Sequence, residues 1–379
     1  MKIGIMTWWW SDNNYGQLLQ CYALQKYLRD LGHDAFLINY KSENDRQMTL
    51  AQKVVKALQH PKAILSKVIK KGTHNNSKYY KAEFEKEKKR LFPVFLKQYV
   101  NMSEKEYISY DNLKNNPPEA DMYIVGSDQI WHYEKGYNKK VFNAYFLNFG
   151  GNNVKRISYA ASFGVDSISQ PVLKDMKRVL QPFTCVTVRE NTGKQICSQM
   201  GVESSVVCDP TLLLDSHKWS ELFDASQTPK SKYVFAYLLT SPCNISVSKL
   251  KEWTDSNGLQ LVYVRGNHGY DIEFEDKNIE QSYLTINQWL HCLANAEYVV
   301  TNSFHGSVLS LIFGRRIGLI PLTGAYSRTN DRIFSLFANL KINKTEIIDN
   351  DFSVLLKTST QQMDTDFIDY SKRLLQSFL

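Results

Sequence analysis

The 379-residue sequence predicts an α/β fold in which two Rossmann-like domains face one cleft. Short, almost continuously apolar strands alternate with helices in two separate series, which is typical of parallel sheets covered on both faces. A polar stretch that contains Pro229, residues 216–231, separates the two series and is the predicted linker. We therefore expect domains at residues 1–225 and 226–379.

The first series begins at the N-terminus. Residues 2–7 form a predicted strand, residues 17–31 have helical periodicity, and Gly32 lies where a helix-ending glycine belongs, before a strand at 35–40. Four later strands each end in polar or glycine-bearing residues; they are predicted at 121–125, 156–161, 184–188 and 205–208. Because ligands bind at the carboxyl ends of strands in such sheets, this repetition predicts a polar site there.

A lysine-dense tract interrupts the first series, and we predict a basic helical insertion at about residues 45–118. Basic amphipathic stretches attract anionic lipid surfaces, but a solvated helical insertion is the favoured interpretation of this charge. The tract has no nucleic-acid motif and no regular aromatic interleaving, so nucleic acid is not an expected partner.

The second series has the same rhythm. Strands are predicted at 233–239, 259–264, 298–301 and 316–320, and helices at 246–257, 285–295, 308–313 and 331–340. We expect the last helix, residues 366–379, to pack back onto the first half.

Composition limits the function classes. Hydrophobic residues make up 43% of the chain and charged residues 22%, as in globular proteins. With no apolar run of 18 residues and no signal-peptide pattern at the N-terminus, we expect a cytoplasmic protein. The six cysteines are scattered without zinc spacing, so no metal site is expected. Neither a dinucleotide fingerprint nor a P-loop sequence occurs.

The stretch at residues 296–307 predicts a strand, a tight turn and a helix. His305 lies at the turn, and Ser303 lies where a helix N-cap belongs. Such a junction places backbone N–H groups and the positive end of a helix dipole beside an imidazole, which suits acid/base chemistry on an anionic substrate. A capping turn with an inert histidine is the alternative.

Several short motifs together resemble those of the polysaccharide pyruvyl transferase family. They occur in the family's order, at residues 13–16 (NNYG), 126–131 (GSDQIW), 158–164 (SYAASFG), 188–190 (VRE), 209–211 (DPT) and 301–306 (TNSFHG). The resemblance implies a GT-B-like fold and transfer of pyruvate from phosphoenolpyruvate to a sugar, giving a ketal that bridges two hydroxyls. Phosphoenolpyruvate would be the donor substrate, and no separate cofactor is expected.

The resemblance also suggests roles for charged residues. His305 would donate a proton to the enol carbon, and Arg189, at a strand end, would bind the donor's anionic groups. The family implies a second cation after the histidine motif. We choose Arg328 over Arg332, which looks like part of the first turn of a helix.

Other polar residues are candidates for substrate contacts. Ser303 and Gly306 would form a cradle for a phosphate or carboxylate, and Asp209, which precedes a proline, is interpreted as a turn former. One of Trp8, Trp9 and Trp10 is a candidate to stack on the acceptor sugar. The remaining candidate binding residues are Asn13, Asn14, Gly16, Ser127, Asp128, Gln129 and Ser162.

The sequence thus favours a pyruvyl transferase of surface polysaccharide synthesis. Its expected partners are phosphoenolpyruvate and a saccharide acceptor, with a lipid-linked acceptor and peripheral binding to the anionic inner membrane face as further hypotheses. Two alternatives remain open at this point: a GT-B glycosyltransferase that uses a nucleotide sugar, and a non-catalytic protein that binds sugar or phosphate.

Overall fold

The computed structural model describes residues 1–41, 84–132, 138–239, 243–266, 279–324, 327, 330–342, 346–360 and 362–379. Two parallel sheets organise them. The first has the order β2-β1-β3-β4. Its strands are β1 (Lys2–Met6), β2 (Asp34–Leu37), β3 (Met122–Val125) and β4 (Lys155–Ser158). A parallel pair, β5 (Thr187–Val188) and β6 (Ser205–Val206), continues this sheet through a bridge between Ala161 and Val188.

The second sheet has the order β11-β10-β9-β7-β8, and all its neighbouring strands are parallel. Its strands are β7 (Tyr233–Leu239), β8 (Gln260–Gly266), β9 (Tyr298–Thr301), β10 (Arg316–Leu319) and β11 (Glu346–Ile347). Three of these strands are buried along their whole length or nearly so, because helices cover both faces of the sheet.

The helices follow the strands in chain order. None within the described ranges is both long and apolar enough to cross a membrane. They are α1 (Tyr15–Asp30), α2 (Phe92–Tyr99), α3 (Tyr110–Asn115), α4 (Lys139–Tyr145), α5 (Gln170–Leu180), α6 (Asn191–Gln199), α7 (Ser216–Ser220), α8 (Val247–Ser256), α9 (Ile286–Ala294), α10 (Phe304–Ile312), α11 (Asp331–Asn339) and α12 (Asp366–Gln376).

Each sheet has one point at which the strand order reverses. In the first sheet the chain moves outward from β1 to β2 and then returns to the other side of β1 with β3. In the second sheet the same reversal occurs between β7 and β9. Since open α/β sheets bind ligands outside the carboxyl ends of strands at these reversals, the topology directs attention to the segments after β1, β3 and β9.

The predicted junction after β9 is present. Ser303 is the N-cap of α10, and its hydroxyl accepts a hydrogen bond from the backbone N–H of Gly306 at 3.3 Å. The helix begins at Phe304, four residues before the predicted start at residue 308. The polar, glycine-containing residues 304–307 predict a turn before the helix. In the structure the Ser303 cap stabilises them as the first turn of α10.

The two sheets share a hydrophobic core. Tyr15, in the first turn of α1, stacks on Trp289 of α9 with ring centroids 5.2 Å apart, and its hydroxyl donates to the Leu284 carbonyl at 2.6 Å. The prediction that the last helix returns to the first half is confirmed. The backbone N–H of Cys208 donates to Ser371 Oγ of α12 at 2.9 Å.

The predicted basic insertion lies only partly within the described residues, which resume at residue 84. From there to residue 118 the chain packs onto the first sheet: parallel bridges join Leu37 to Met102 and Tyr40 to Tyr107. Arg90 and Phe92 are fully buried. The position of the domain boundary stays a prediction.

Candidate active site

The carboxylate of Asp209, which follows β6, is the meeting point of side chains from both halves. Its Oδ2 accepts a hydrogen bond from Ser127 Oγ at 2.7 Å and from Arg189 Nη1 at 2.9 Å. His305 Nε2 lies 3.7 Å from the same oxygen. Ser127 follows β3, Arg189 follows β5, and His305 lies in α10. Four segments distant in sequence therefore converge on one buried oxygen atom.

The other oxygen of Asp209 shapes the chain locally. Oδ1 accepts hydrogen bonds from the backbone N–H of Thr211 at 3.0 Å and from its hydroxyl at 2.7 Å. Burial alone would raise the pKa of Asp209, but the charges of His305 and Arg189, together with the hydrogen bond from Thr211, outweigh it and lower that pKa well below its ordinary value. Asp209 is therefore an anion at neutral pH.

Arg189 is almost completely buried, and its guanidinium lies 4.5 Å from the ring centre of Phe304. Its Nη2 is 3.8 Å from Asp128 Oδ1, and its Nε is 3.8 Å from Glu190 Oε2. Burial opposes the charge, yet the carboxylates of Asp209, Asp128 and Glu190 raise the pKa of Arg189 above its ordinary value. Neither Nε nor Nη2 makes a hydrogen bond with any described residue. Two buried donors are thus left for a ligand.

His305 is held between the two halves of the molecule. Its ring touches Gly16 of α1 so closely that a Cβ at residue 16 would lie 2.1 Å from Nδ1. The side chain is 9% exposed, and Nε2 makes no hydrogen bond with any described residue. Because a buried polar atom without a partner is costly, Nε2 is suited to exchange a proton with a bound molecule.

A second cation lies beside Arg189. The half-buried Arg332, in the first turn of α11, donates to the amide oxygen of Gln129 from Nη1 at 2.8 Å and Nη2 at 3.0 Å, with that amide turned to face it. Burial, followed by the positive charge of Arg189, lowers the pKa of Arg332 to about 10. Burial also raises the pKa of Glu190, against the opposing charges of Arg189 and Arg332.

The other predicted binding residues have varied positions. Ser162 is buried next to Phe163, whose backbone N–H donates to Glu190 Oε1 at 3.0 Å. Asp128 has a positive φ of 70°, a conformation that aspartate tolerates better than most residues. Asn14 is the N-cap of α1, and Asn13 lies in the loop before it.

Two further predictions concern the helix end and the second cation. The N–H of Gly306 is already used by the Ser303 cap, and a Cβ at Gly306 would lie 2.6 Å from Thr301 Oγ1. An anion at this helix end would therefore have to bind the other backbone N–H groups of the first turn of α10. Arg328 lies outside the described residues.

Sequence reasoning undervalued three residues of this cluster. From sequence, Asp209 is interpreted as a turn former, Glu190 has no predicted role, and Arg328 is preferred to Arg332, which looks like part of the first turn of a helix. A usable signal existed, since two consecutive strands end in charged residues at 189–190 and at 209. Parallel strands place such ends at one edge of a sheet.

The cluster can bind an anion and move a proton. It combines two buried or half-buried arginines, an imidazole and the first turn of α10 with carboxylates that the arginines balance. In the part of the chain that the structure describes, no group of three or more His, Cys, Asp and Glu side chains has a metal-binding arrangement.

Comparison with solved structures gives matches at low sequence identity. The UDP-GlcNAc 2-epimerase from Methanocaldococcus jannaschii has a TM-score of 0.52 and 12% identity, with 100% of each chain covered. The enzyme of the same name from Neisseria meningitidis has a TM-score of 0.45 and 7% identity over 100% of this chain and 99% of that one. A glycosyltransferase from Streptomyces sp. SF2575 has a TM-score of 0.38 and 9% identity, over 99% of this chain and 94% of that chain. The first of these confirms the predicted α/β, GT-B-like fold and shows nothing beyond the fold.

Comparison at the level of sequence identifies the family. No curated protein matches the chain. The family model of the polysaccharide pyruvyl transferases matches residues 14–317. This range includes the members Ser127, Arg189, Glu190, Asp209 and His305 of the Asp209 cluster, and Arg332 lies beyond it. The chain belongs to the polysaccharide pyruvyl transferase family.

Proposed function

We propose that this protein transfers pyruvate from phosphoenolpyruvate to two hydroxyls of a saccharide. The observation that supports this most directly is the convergence of Arg189 and His305 on Asp209 Oδ2, with unpaired buried donors on both side chains. Phosphoenolpyruvate carries a phosphate and a carboxylate, and its reaction begins with protonation of a carbon atom. An arginine beside a proton-donating imidazole meets both requirements.

Donor binding uses the cations of the cluster. Nε and Nη2 of Arg189 form a planar pair of donors that matches a carboxylate or a phosphate. Arg332 supplies a second positive charge near the first, in the region after the histidine motif where the family implies a cation. The carboxylates of Asp128 and Glu190 already lie beside Arg189 and offset its positive charge. A bound anionic donor would offset part of that charge in their place.

Catalysis begins at His305. The imidazolium transfers a proton to C3 of phosphoenolpyruvate, and C2 becomes oxocarbenium-like. A saccharide hydroxyl oxygen then bonds to C2 and gives its proton to the imidazole. The bond between C2 and the phosphate oxygen breaks, and phosphate leaves with the electron pair. A second hydroxyl attacks C2 and releases its proton to the departing phosphate, which closes the ketal.

Asp209 positions these groups. Its Oδ2 holds Arg189 by a direct hydrogen bond and lies near His305 Nε2, while Ser127 fixes the carboxylate itself. A buried carboxylate that is already hydrogen-bonded needs little rearrangement when the imidazole changes its charge, which lowers the cost of the proton transfers.

Exchange of His305 tests the proposal. Phosphate release from phosphoenolpyruvate is measured with a panel of nucleotide sugars and lipid-linked saccharides, for the parent protein and for His305→Ala. We expect kcat to fall by about 10²–10⁴-fold, while calorimetry shows phosphoenolpyruvate still binding. His217→Ala, at an exposed histidine of α7, is the matched control.

The rival functions predict other outcomes. Binding of a uridine or guanosine diphosphate sugar, with sugar transfer and no phosphate release from phosphoenolpyruvate, would establish a glycosyltransferase. Ligand binding without turnover by the parent protein, for every acceptor tried, would establish a binding protein.

We also infer peripheral attachment to an anionic membrane, where lipid-linked acceptors would lie on the cytoplasmic side. Lys86, Lys88 and Lys89 are exposed next to two exposed apolar residues, Leu91 and Val94. Basic and apolar side chains presented together suit an anionic lipid surface. Sedimentation with phosphatidylglycerol vesicles tests this, and a protein that stays in the supernatant would exclude it.

A further inference from the structure

A cavity of about 250 Å³ lies at the carboxyl end of β1. Its walls include Trp8, Trp9, Trp10, Gln17 and Tyr145. Cavities that hold drug-sized ligands are larger, roughly 300–1,000 Å³. This one therefore has room for a single small ring.

Two glutamines of α1, the buried Gln20 and the half-buried Gln17, hold the tryptophan segment in place. Gln20 Nε2 donates to the Trp8 carbonyl at 3.0 Å, and Gln17 Nε2 donates to the Trp10 carbonyl at 3.1 Å. Trp9 is buried and donates from Nε1 to the Tyr40 carbonyl at 3.0 Å. The segment is thus fixed without full burial of its other two indole rings.

Trp8 and Trp10 both keep part of their rings exposed at this cavity. Neighbouring exposed indoles are unfavourable in water unless a ligand covers them, and flat aromatic faces are suited to the C–H face of a sugar ring. The other lining residues include Thr7, Gln17 and Tyr145, whose side chains carry hydroxyl or amide groups. Amide and hydroxyl groups match the hydroxyls of a sugar.

Among the described residues that line the cavity, Lys41 alone is charged, and its ammonium lies 3.3 Å from the ring centre of Trp10. A site built for a phosphate would need more cationic groups than this. The chemistry of the wall therefore favours a hydroxylated ring over an anion.

The cavity adjoins the Asp209 cluster through two short connections. Thr7 Oγ1 donates to the Ser127 carbonyl at 3.0 Å, and the Ser127 hydroxyl donates to Asp209. Gln17 directly follows Gly16, the residue that contacts the His305 ring. The cavity wall is thus connected, through Ser127 and Gly16, to the groups that would transfer the proton.

We propose that this cavity is the acceptor subsite and binds one hexose or N-acetylhexosamine ring against Trp10. The proposal rests on the proposed function for the identity of its ligand. Trp10 then contributes to acceptor binding alone, and the donor site at Arg189 and His305 is separate from it.

Binding without phosphoenolpyruvate tests the subsite apart from catalysis. Methyl glycosides of glucose, galactose, mannose and N-acetylglucosamine are titrated into the full chain and followed by saturation-transfer-difference NMR. We expect at least one to bind and its affinity to fall about 10-fold in Trp10→Ala. Trp10→Phe, which keeps an aromatic face, should retain most of the binding.

Control measurements separate folding from binding. Trp253→Ala changes a partly exposed tryptophan of the second half that packs on Tyr298 and Phe352, and it should leave glycoside binding unchanged. Calorimetric titration with phosphoenolpyruvate should give the same affinity for Trp10→Ala as for the parent protein.

Each other outcome has a defined meaning. Absence of glycoside binding by the parent protein, or equal binding by parent and Trp10→Ala, would overturn the subsite and leave phosphoenolpyruvate chemistry untouched. Loss of glycoside binding in Trp10→Ala, in a protein that neither binds nor consumes phosphoenolpyruvate, would support the subsite and overturn the proposed function.

Discussion

At the scale of single residues, Asp209 organises the candidate site by dividing its two oxygens between two tasks. Oδ1 fixes the local turn at Thr211, as the Asp-Pro-Thr sequence predicts, and Oδ2 holds Arg189 and Ser127. The sequence alone indicates only the first task, because Ser127 lies 82 residues away along the chain.

Replacing Asp209 should change the pH dependence of stability. The pKa of Asp209 is lowered in the folded protein, so the carboxylate stabilises the fold above its unfolded pKa of about 3.9 and loses this effect as pH falls through and below that value. We expect Asp209→Asn to cost about 3 kcal/mol at neutral pH, near the lower limit for breaking a buried ion pair. Urea unfolding from neutral pH down to about pH 3 should show this difference shrink with acidity.

The exposed Asp215, the N-cap of α7, provides the control. Because asparagine is an equally good N-cap, Asp215→Asn removes a carboxylate and keeps the cap. It should change stability by less than about 0.5 kcal/mol. A constant difference between Asp209→Asn and the parent protein at every pH would contradict the role given to Asp209.

The sequence identified His305 and Arg189, and the structure brings both to Asp209. Their catalytic roles stay predictions. The sequence did not identify Arg332 as a site residue, because a charged residue in the first turn of a helix is usually solvated. Here α11 turns that side chain toward Gln129. The inward orientation of this side chain depends on how α11 packs against the first half. A local sequence pattern cannot predict that packing.

At the scale of elements, apolar runs predicted the long strands well. Strands β7 and β9 have the predicted bounds, and each is almost wholly buried. The strand predicted at residues 184–188 is shorter, since only Thr187 and Val188 pair regularly and Cys185 forms an isolated bridge. Strand ends depend on pairing partners elsewhere in the chain, so the sequence defines them less sharply than strand centres.

The contact between α1 and α10 provides a prediction at this scale. A Cβ at Gly16 would lie 2.1 Å from His305 Nδ1 and 2.5 Å from Cγ, so alanine must displace the imidazole. We expect Gly16→Ala to lower kcat by about 10²-fold, as a 1 Å misplacement can. Stability should change by less than about 2 kcal/mol, because the strain of overpacking is partly offset by the helix propensity of alanine. Steady-state phosphate release and thermal unfolding measure the two effects.

Gly151→Ala is the matched control, because no heavy atom lies within 4 Å of the Cβ that it adds. It should leave both kcat and the melting temperature unchanged. Full activity of Gly16→Ala would show that His305 does not need its present position, and the proposed proton transfer would lose its geometric basis.

At the scale of the whole molecule, the two halves are joined by buried groups as well as by apolar packing. Arg90 is fully buried, and its Nε lies 2.6 Å from Glu87 Oε2. Its Nη2 donates to the Arg265 carbonyl at the end of β8, at 2.7 Å. Its guanidinium also lies 5.1 Å from the centre of the Tyr15 ring. One side chain thus links the segment before α2, the first turn of α1 and the second sheet.

This link and the shared core predict a single cooperative unfolding transition for the parent protein in calorimetry. Arg90→Met should cost about 3–5 kcal/mol, because it leaves the Glu87 carboxylate buried beside an apolar side chain. Adding Glu87→Leu removes that charge, so the double variant should recover much of the loss, as apolar replacements of buried pairs often do.

The exposed pair Lys88–Glu85 has the same spacing, and Lys88→Met should change stability by less than about 1 kcal/mol. Two separate transitions in the parent protein would show that the halves unfold independently. A double variant as unstable as Arg90→Met would show that the loss of stability does not come from the unpaired Glu87 carboxylate.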